Sequence, residues 1–435
     1  MMLEKKKLVR NIASLGIIQI VNYIFPLITV PYVSRIIGPD GYGIINYAMA
    51  FIGYFTLLIA YGFDLTATRR ISQNSNNKEY INEVVSEVFT SRIILYAVSC
   101  ILFVISLYFF TPIQKDLSVA VILFTGCIST VISPQYIFQG LQELEIFAKL
   151  NFVKGIINTA LVFILIKHSS DYYWIPLLST IFLISTNVFL FLYAVRKFHI
   201  KYRLISFRKS FKLILDERII FFSTIVISLY TSTNIVVLGF FADTKEVGYY
   251  TTSQNFLNIV NSMLMLPIST ALYPFIGRAF SISREHGITL IKKIVPIVFY
   301  LTFFASVAVL LFAPFLVRLI YGHQFDNSIN VLKIISFVPF IVGLSNVFGI
   351  QLMLNLGLDK MFFRTTFIAS IAGLILNIFM SKYWGYIGTA WNCVIIECLV
   401  TILMYFALKK EKIGIFKMDY FNPKQIFLTL KNRNE

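Results

Sequence analysis

Apolar runs long enough to cross a hydrocarbon core of about 30 Å recur from end to end of this sequence, and they constrain it more than any motif does. The chain is 57% hydrophobic and 14% charged. An average soluble domain is about 25% charged, so this composition predicts a polytopic helical membrane protein with no separate soluble domain. The stretch from Gln19 to Arg70 shows the pattern best. Two runs of membrane length flank a turn of Gly38, Pro39, Asp40, Gly41 and Gly43, which reads as a transmembrane hairpin. Its first helix carries Asn22, Pro26 and Pro31 at lipid depth. Prolines there free the carbonyls of Asn22 and Leu27, which must face protein or water, so the helix is expected to be broken and to line something wet. The basic residues Lys5, Lys6, Lys7 and Arg10 precede it, yet two prolines and the lack of a small-residue cleavage site predict a retained helix.

Twelve spans follow from the apolar pattern: 12–34, 43–66, 88–110, 118–139, 150–167, 174–195, 219–242, 248–273, 294–317, 331–352, 364–381 and 386–408. Charge tests the number. With the N-terminus inside, only Arg35, Lys115, Lys167, Lys245, Arg318, Lys333 and Lys382 of the 38 Lys and Arg residues fall outside. The inner side takes all the others, Arg69, Arg70, Lys78 and Arg92 included. Positive loops resist translocation, so both termini are placed in the cytoplasm. The net charge of +17 is then topological, and a nucleic-acid partner is not expected.

The expected organisation is an N-terminal six-helix lobe (1–200), a basic cytoplasmic linker (201–218), a C-terminal six-helix lobe (219–410) and a cytoplasmic tail (411–435). The connection from Arg196 to Arg218 mixes Lys201, Arg203, Arg208, Lys209 and Lys212 with aromatics and leucines, as an amphipathic segment on the inner leaflet would. The tail, with Ile413, Ile415 and Phe416, reads as surface-bound or frayed. A faint repeat supports two halves: about 205 residues after the opening hairpin, Gly248 and Tyr249 stand where Gly43 and Ile44 stood after a similar turn. Parallel repeats of this kind imply a cavity between the halves.

Candidate polar sites are few. In the eighth span Thr251, Gln254, Asn255, Asn258, Asn261 and Ser262 recur at three- and four-residue intervals, placing them on one helix face. That face either bonds to other helices or lines a cavity where amides suit sugar hydroxyls. Glu397 lies near the middle of the last span, where a carboxylate stays protonated unless paired or wetted. Proton coupling and a neutral helix-to-helix bond both fit it. Arg35, about 37 Å of straight helix beyond Arg10, lies near the outer mouth, as an interfacial anchor or as a guanidinium that takes a phosphate. Asp64, just before Arg69 and Arg70, either caps a short helix or pairs with an arginine. Lys154 reads first as a snorkelling lysine. Cys100, Cys127, Cys393 and Cys398 lie in apolar segments and match neither a disulfide framework nor a metal site. No cofactor motif occurs, His168, His199, His286 and His323 are scattered in loops, and no outer loop could house an enzyme site.

The pattern from Asn11 to Gln19, PLITVPYVSRIIGPDGYG (Pro26 to Gly43) and YGFDLTATRRIS (Tyr61 to Ser72) closely resembles the opening of the Wzx-type polysaccharide repeat-unit flippases. These share a superfamily, MOP, with the MATE drug exporters and the lipid II flippases. The resemblance implies two six-helix lobes around a central cavity in the bacterial inner membrane. It also implies flipping of undecaprenyl-pyrophosphate-linked oligosaccharide, destined for O-antigen, lipopolysaccharide or capsule, from the cytoplasmic to the outer leaflet. Cationic cavity residues and coupling to protons or sodium are implied too, with a polymerase and a chain-length regulator as possible partners. It carries Arg35, Asp64 and Arg69 over as substrate-binding candidates, beside Asn255, Asn258 and Asn261; Glu397, as ion-coupling candidate, lies outside the motif and rests on burial alone. A MATE-like multidrug or small-solute antiporter is the first alternative, predicting an acidic, aromatic site. A membrane-embedded polysaccharide polymerase is the second and would need a large outer loop.

Overall fold

The computed structural model describes residues 2–114, 116–231, 233–416 and 418–422. The side chains before Ile24, among them Asn22 and the basic residues Lys5 to Arg10, lie outside the described residues, as do Lys115 and the tail from 423. The fold is all-α: helices follow one another and no strand occurs among the described residues. Each of the twelve expected spans falls on helix. Contacts divide the chain into two compact units, residues 1–225 and 226–435.

The first unit begins with α1 (Met2–Ala60), which doubles back at Gly38, where φ is 68° and ψ is −178°. A side chain there would clash with its own backbone, so glycine makes the hairpin possible. Pro26 and Pro31 do not break the first arm, contrary to expectation, since the only non-helical dihedrals in α1 are at Gly38. Tyr32 on this arm donates its hydroxyl to the Ile166 carbonyl at 2.7 Å, which ties the arm to the helix beside it. After α2 (Phe63–Gln73) and α3 (Lys78–Phe109) come four short pieces, α4 (Thr111–Gln114), α5 (Leu117–Gly126), α6 (Ile128–Ile132) and α7 (Gln135–Gly140). The last three share one crossing, interrupted at Ser133 and Pro134 because proline cannot donate to the helix ladder. The long helices α8 (Glu145–Leu165) and α9 (Trp174–Phe198) complete the bundle. Phe63, Val84, Val85, Ile137, Phe138 and Ala194 are fully buried at its base, and Phe103 stacks on Phe124 at 4.1 Å higher up.

A linker leads out of α9. Residues 201–206 have no helix, and then α10 (Phe207–Asp216) forms. Backbone N–H groups of Lys201, Arg203 and Ile205 donate to the side chains of Asn82 (2.9 Å), Ser86 (3.0 Å) and Thr90 (3.2 Å) on α3. Every second residue of an extended chain advances about 6.6 Å and every fourth residue of a helix about 6 Å, so the two patterns stay in step over three bonds. The linker is thereby laid along α3.

The second unit starts within α11 (Arg218–Thr231) and continues with α12 (Thr233–Phe241), α13 (Thr244–Ile282) and α14 (Arg284–Ile320). Next come α15 (Asn327–Ile335), α16 (Val338–Asn346) and a π-helical turn (Val347–Met353). Last is α17 (Asp359–Lys410), which folds back at Gly385 (φ 53°) as α1 does at Gly38. Glu246 accepts the Tyr386 N–H at 3.1 Å and so supplies an anion to the new helix start. The tail differs from expectation as far as it is described. Ile413 and Ile415 are buried with Phe348 and Leu408, and Tyr300 donates to the Phe421 carbonyl at 3.2 Å. Two β-branched apolar residues spaced two apart in extended chain present one face, and the bundle base offers an apolar seat.

Gly388 shows how tightly the α17 hairpin closes: a Cβ there would sit 2.1 Å from the Met380 carbonyl oxygen, whereas one at Gly414 would meet nothing within 4 Å. Backbone cannot yield as a side-chain tip can. Gly388→Ala should therefore lower the thermal midpoint of the purified protein by an amount that corresponds to about 1–3 kcal/mol, with Gly414→Ala unchanged.

Candidate functional site

Two adjoining cavities open inside the first unit. The larger, about 620 Å³, is lined by Asp64, Gln135, Gln139, Asn151, Lys154 and Asn187 among others. The smaller, about 340 Å³, is lined by Cys127, Asn158 and Ser179, and it shares Thr56, Thr130, Lys154 and Leu183 with the larger. In a bundle made of Phe, Leu, Ile and Val, a chamber rich in amides and hydroxyls has no use in packing, and polar groups at such depth need partners or water. Lys154 is the cation in both linings. On α8, Asn151, Lys154 and Asn158 stand at intervals of three and four, so one helix face carries all three into the cavities. The hairpin contributes its second arm, through Met49, Gly53 and Thr56, where the sequence had pointed to the first.

At one end of the larger cavity lies an ion pair. Arg92 of α3 is completely buried and donates to Asp64 at 2.8 Å and to the Ser133 carbonyl at 3.0 Å. That carbonyl is turned out of the helix ladder because Ser133, the residue before Pro134, is extended (ψ 117°). The guanidinium carbon also sits 5.4 Å from the centre of the Tyr136 ring. Asp64 is thus a partner of Arg92, and of neither Arg69 nor Arg70. Nor does it cap α2, whose N-cap is Gly62. Arg70 pairs with Glu87 at 2.6 Å instead. Arg69 is exposed, with its carbonyl accepting from Ser72. Arg35 is exposed three residues before the Gly38 turn.

The stripe on α13 divides. Thr251 is buried and donates back to the Val247 carbonyl at 2.8 Å, Gln254 donates to Asn258 at 3.3 Å on an exposed part, and Asn255 is half-buried. Asn261 buries its Oδ1 with no hydrogen-bond partner among the described residues. Glu397 is part-buried, and one turn from Cys393. The Tyr250 hydroxyl on α13 donates to Gln254 Oε1 at 3.2 Å. A separate network centres on Asn234: Asn392 donates to Asn234 Oδ1 at 3.1 Å, Asn377 to its carbonyl at 3.5 Å, and Ser381 joins Asn377 (3.0 Å) to Thr389 (2.8 Å). Sequence reading singled out Glu397 and missed this network, whose members come one or two to a helical arm and make no stripe.

The chain was compared with known proteins. Residues 8–280 match the family described as "Polysaccharide biosynthesis protein". The chain is 29% identical over 411 residues to the "Putative O-antigen transporter" of Escherichia coli (strain K12), covering 94% of this chain and 99% of that protein. It is 22% identical over 418 residues to the protein of the same name in Shigella dysenteriae, covering 92% and 100%. Among solved structures, the lipid II flippase MurJ in an inward closed conformation superposes with a TM-score of 0.69 at 14% identity, covering 96% of this chain and 93% of that one. An outward-facing MATE-family multidrug resistance transporter of the MOP superfamily gives 0.56 at 16% identity, with 94% and 95% covered. The fold is that of the MOP-superfamily transporters.

The buried pair makes a stability prediction. Asp64→Ala leaves the Arg92 charge uncompensated and should cost about 2–4 kcal/mol, less than a fully enclosed pair because the Asp64 side chain keeps 37% of its exposure. A fall in thermal midpoint is expected, partly recovered in the double variant Asp64→Leu/Arg92→Met.

Proposed function

This chain belongs to the polysaccharide biosynthesis protein family of membrane transporters, and from that membership we propose that it is a flippase for lipid-linked oligosaccharide. Its cargo is an undecaprenyl-pyrophosphate-linked repeat unit, moved from the cytoplasmic to the outer leaflet of the bacterial inner membrane by alternating access. Both termini lie in the cytoplasm, and the carried glycan passes to a polymerase and chain-length regulator. The observation that carries this reading is the pair of polar cavities in the first unit. Sugars taken through hydrocarbon would lose hydrogen bonds at a cost of several kcal/mol each. Amides such as Asn151, Asn158 and Asn187 offer both donors and acceptors to replace them. Lys154 supplies a point charge for a phosphate, and the polyprenyl tail stays in lipid.

Other residues take supporting parts in this proposal. Arg35 and Arg69, both exposed, meet the pyrophosphate near the outer and inner faces. Asp64 holds Arg92 in the floor of the larger cavity, and Asn255, Asn258 and Asn261 bind glycan hydroxyls from α13. Glu397 couples the conformational change to protons, since a carboxylate at membrane depth can take one up and release it.

In a strain lacking this protein, lipid-linked repeat units should accumulate on the cytoplasmic leaflet while surface polysaccharide disappears. Unchanged surface glycan would overturn the proposal. Among variants with normal abundance, Lys154→Ala should reduce flipping in proteoliposomes by about 10- to 100-fold, the loss of one charge-assisted bond, with Lys154→Arg retaining part. Arg35→Ala should impair export while Arg35→Lys keeps some of it. Glu397→Gln should abolish transport driven by a pH gradient, and intact coupling would leave Glu397 a structural role only.

A further inference from the structure

The linker helix α10 has three sides. At 100° per residue, Ser210, Leu213 and Ile214 turn toward the bundle, where Ser210 is completely buried and the other two pack against the core at the base of the first unit. Phe207, Phe211 and Leu215 form a second side, exposed by 66%, 50% and 43%. Arg208, Lys209 and Lys212 form the third, also exposed, next to the apolar one. The apolar side does not end with the helix: Leu204 before it and Ile219 and Phe222 after it are exposed by 71%, 71% and 57%. Ile219 and Phe222 belong to α11, which begins the next expected crossing. The exposed apolar residues therefore continue into the start of the next expected crossing, and that continuity argues for the depth of the acyl chains.

We propose that α10 is a binding surface for anionic phospholipid, with its aromatic side in the acyl region and Arg208, Lys209 and Lys212 on the phosphates. Charge and depth agree. A helix of this kind is held by apolar burial plus attraction to anionic head groups, and each cation near such a surface adds to the preference. The linker is seated on α3, which carries Arg92 of the buried ion pair, and α11 behind it packs on the turn that leads into Asp64. The N–H of Ile205 bonds Thr90, two residues before Arg92. Phe221 stacks on Tyr61 at 4.2 Å, three residues before Asp64. Lipid held by the linker thus bears on the frame around the cavity floor. This inference is independent of the cargo, and its test does not measure transport.

The full chain carrying Phe211→Trp, reconstituted in phosphatidylcholine nanodiscs, tests it. The nanodiscs contain equal mole fractions of either brominated phosphatidylglycerol or brominated phosphatidylcholine, and the signal is the difference from the same chain without the reporter. Bromine quenching by phosphatidylglycerol should exceed that by phosphatidylcholine about threefold or more. The excess should vanish at high salt and in the Arg208→Gln/Lys209→Gln/Lys212→Gln variant. Equal quenching by the two lipids in the unsubstituted background would overturn the charge selection. No quenching by either would mean that protein covers the stripe, a second copy of the chain or another partner, and would overturn the proposal altogether.

Discussion

A polar group left without a partner in hydrocarbon costs several kcal/mol, and the described architecture can be followed from that single constraint. Backbone amides meet it by forming helix. Where helix fails, something else steps in: at Pro134 the freed Ser133 carbonyl takes a bond from Arg92, and at Gly385 the exposed Tyr386 N–H finds Glu246. Side chains obey the same rule. Serines and threonines on the long helices return their hydroxyls to carbonyls one turn back, as Thr90 does to Ser86 and Thr302 to Val298. Two clusters of polarity stand out among the described residues, one in the first unit around Lys154 and one in the second around Asn234.

The two concentrations differ in kind. Around Lys154 the polar groups line empty space of several hundred cubic ångströms, with donors and acceptors available to a guest. Around Asn234 the groups bond mostly to one another, from Thr389 through Ser381 and Asn377 to Asn392. The Asp64–Arg92 pair stands apart from both. It fixes α2 to α3 at the chamber floor, and the guanidinium is so fully enclosed that its worth lies in holding a geometry, since enclosure of charge offsets most of the attraction.

How much of this could be read in the sequence depends on whether the signal was local. The fold class, the twelve crossings and the hairpin at Gly38 are written in runs of apolar residues and in a glycine and proline turn. The opening motif that resembles the repeat-unit flippases agrees with the family that residues 8–280 match. Arg92 was counted among the inner-face cations with no sign that it would be enclosed, because four residues into an apolar run a long side chain can either reach back to water or turn inward. Its choice is decided by Asp64, 28 residues earlier, and by a carbonyl 41 residues later. The chamber had one legible trace, Asn151, Lys154 and Asn158 at helical spacing, which a snorkelling lysine explained too readily. The rest of its lining comes from several helices, and no single window of sequence contains it. Ile413 and Ile415 were read as a loose tail because two isoleucines in a polar stretch do not reveal that a bundle offers them a seat.

The bonds from Lys201, Arg203 and Ile205 to Asn82, Ser86 and Thr90 join an extended chain to a helix in parallel register. In extended chain alternate N–H groups point to opposite sides. Removing one residue within that segment would aim the following N–H groups away from α3, whereas removing two would restore the match one rung along. The linker is therefore quantised where it leaves α9: it can shorten or lengthen there only in pairs.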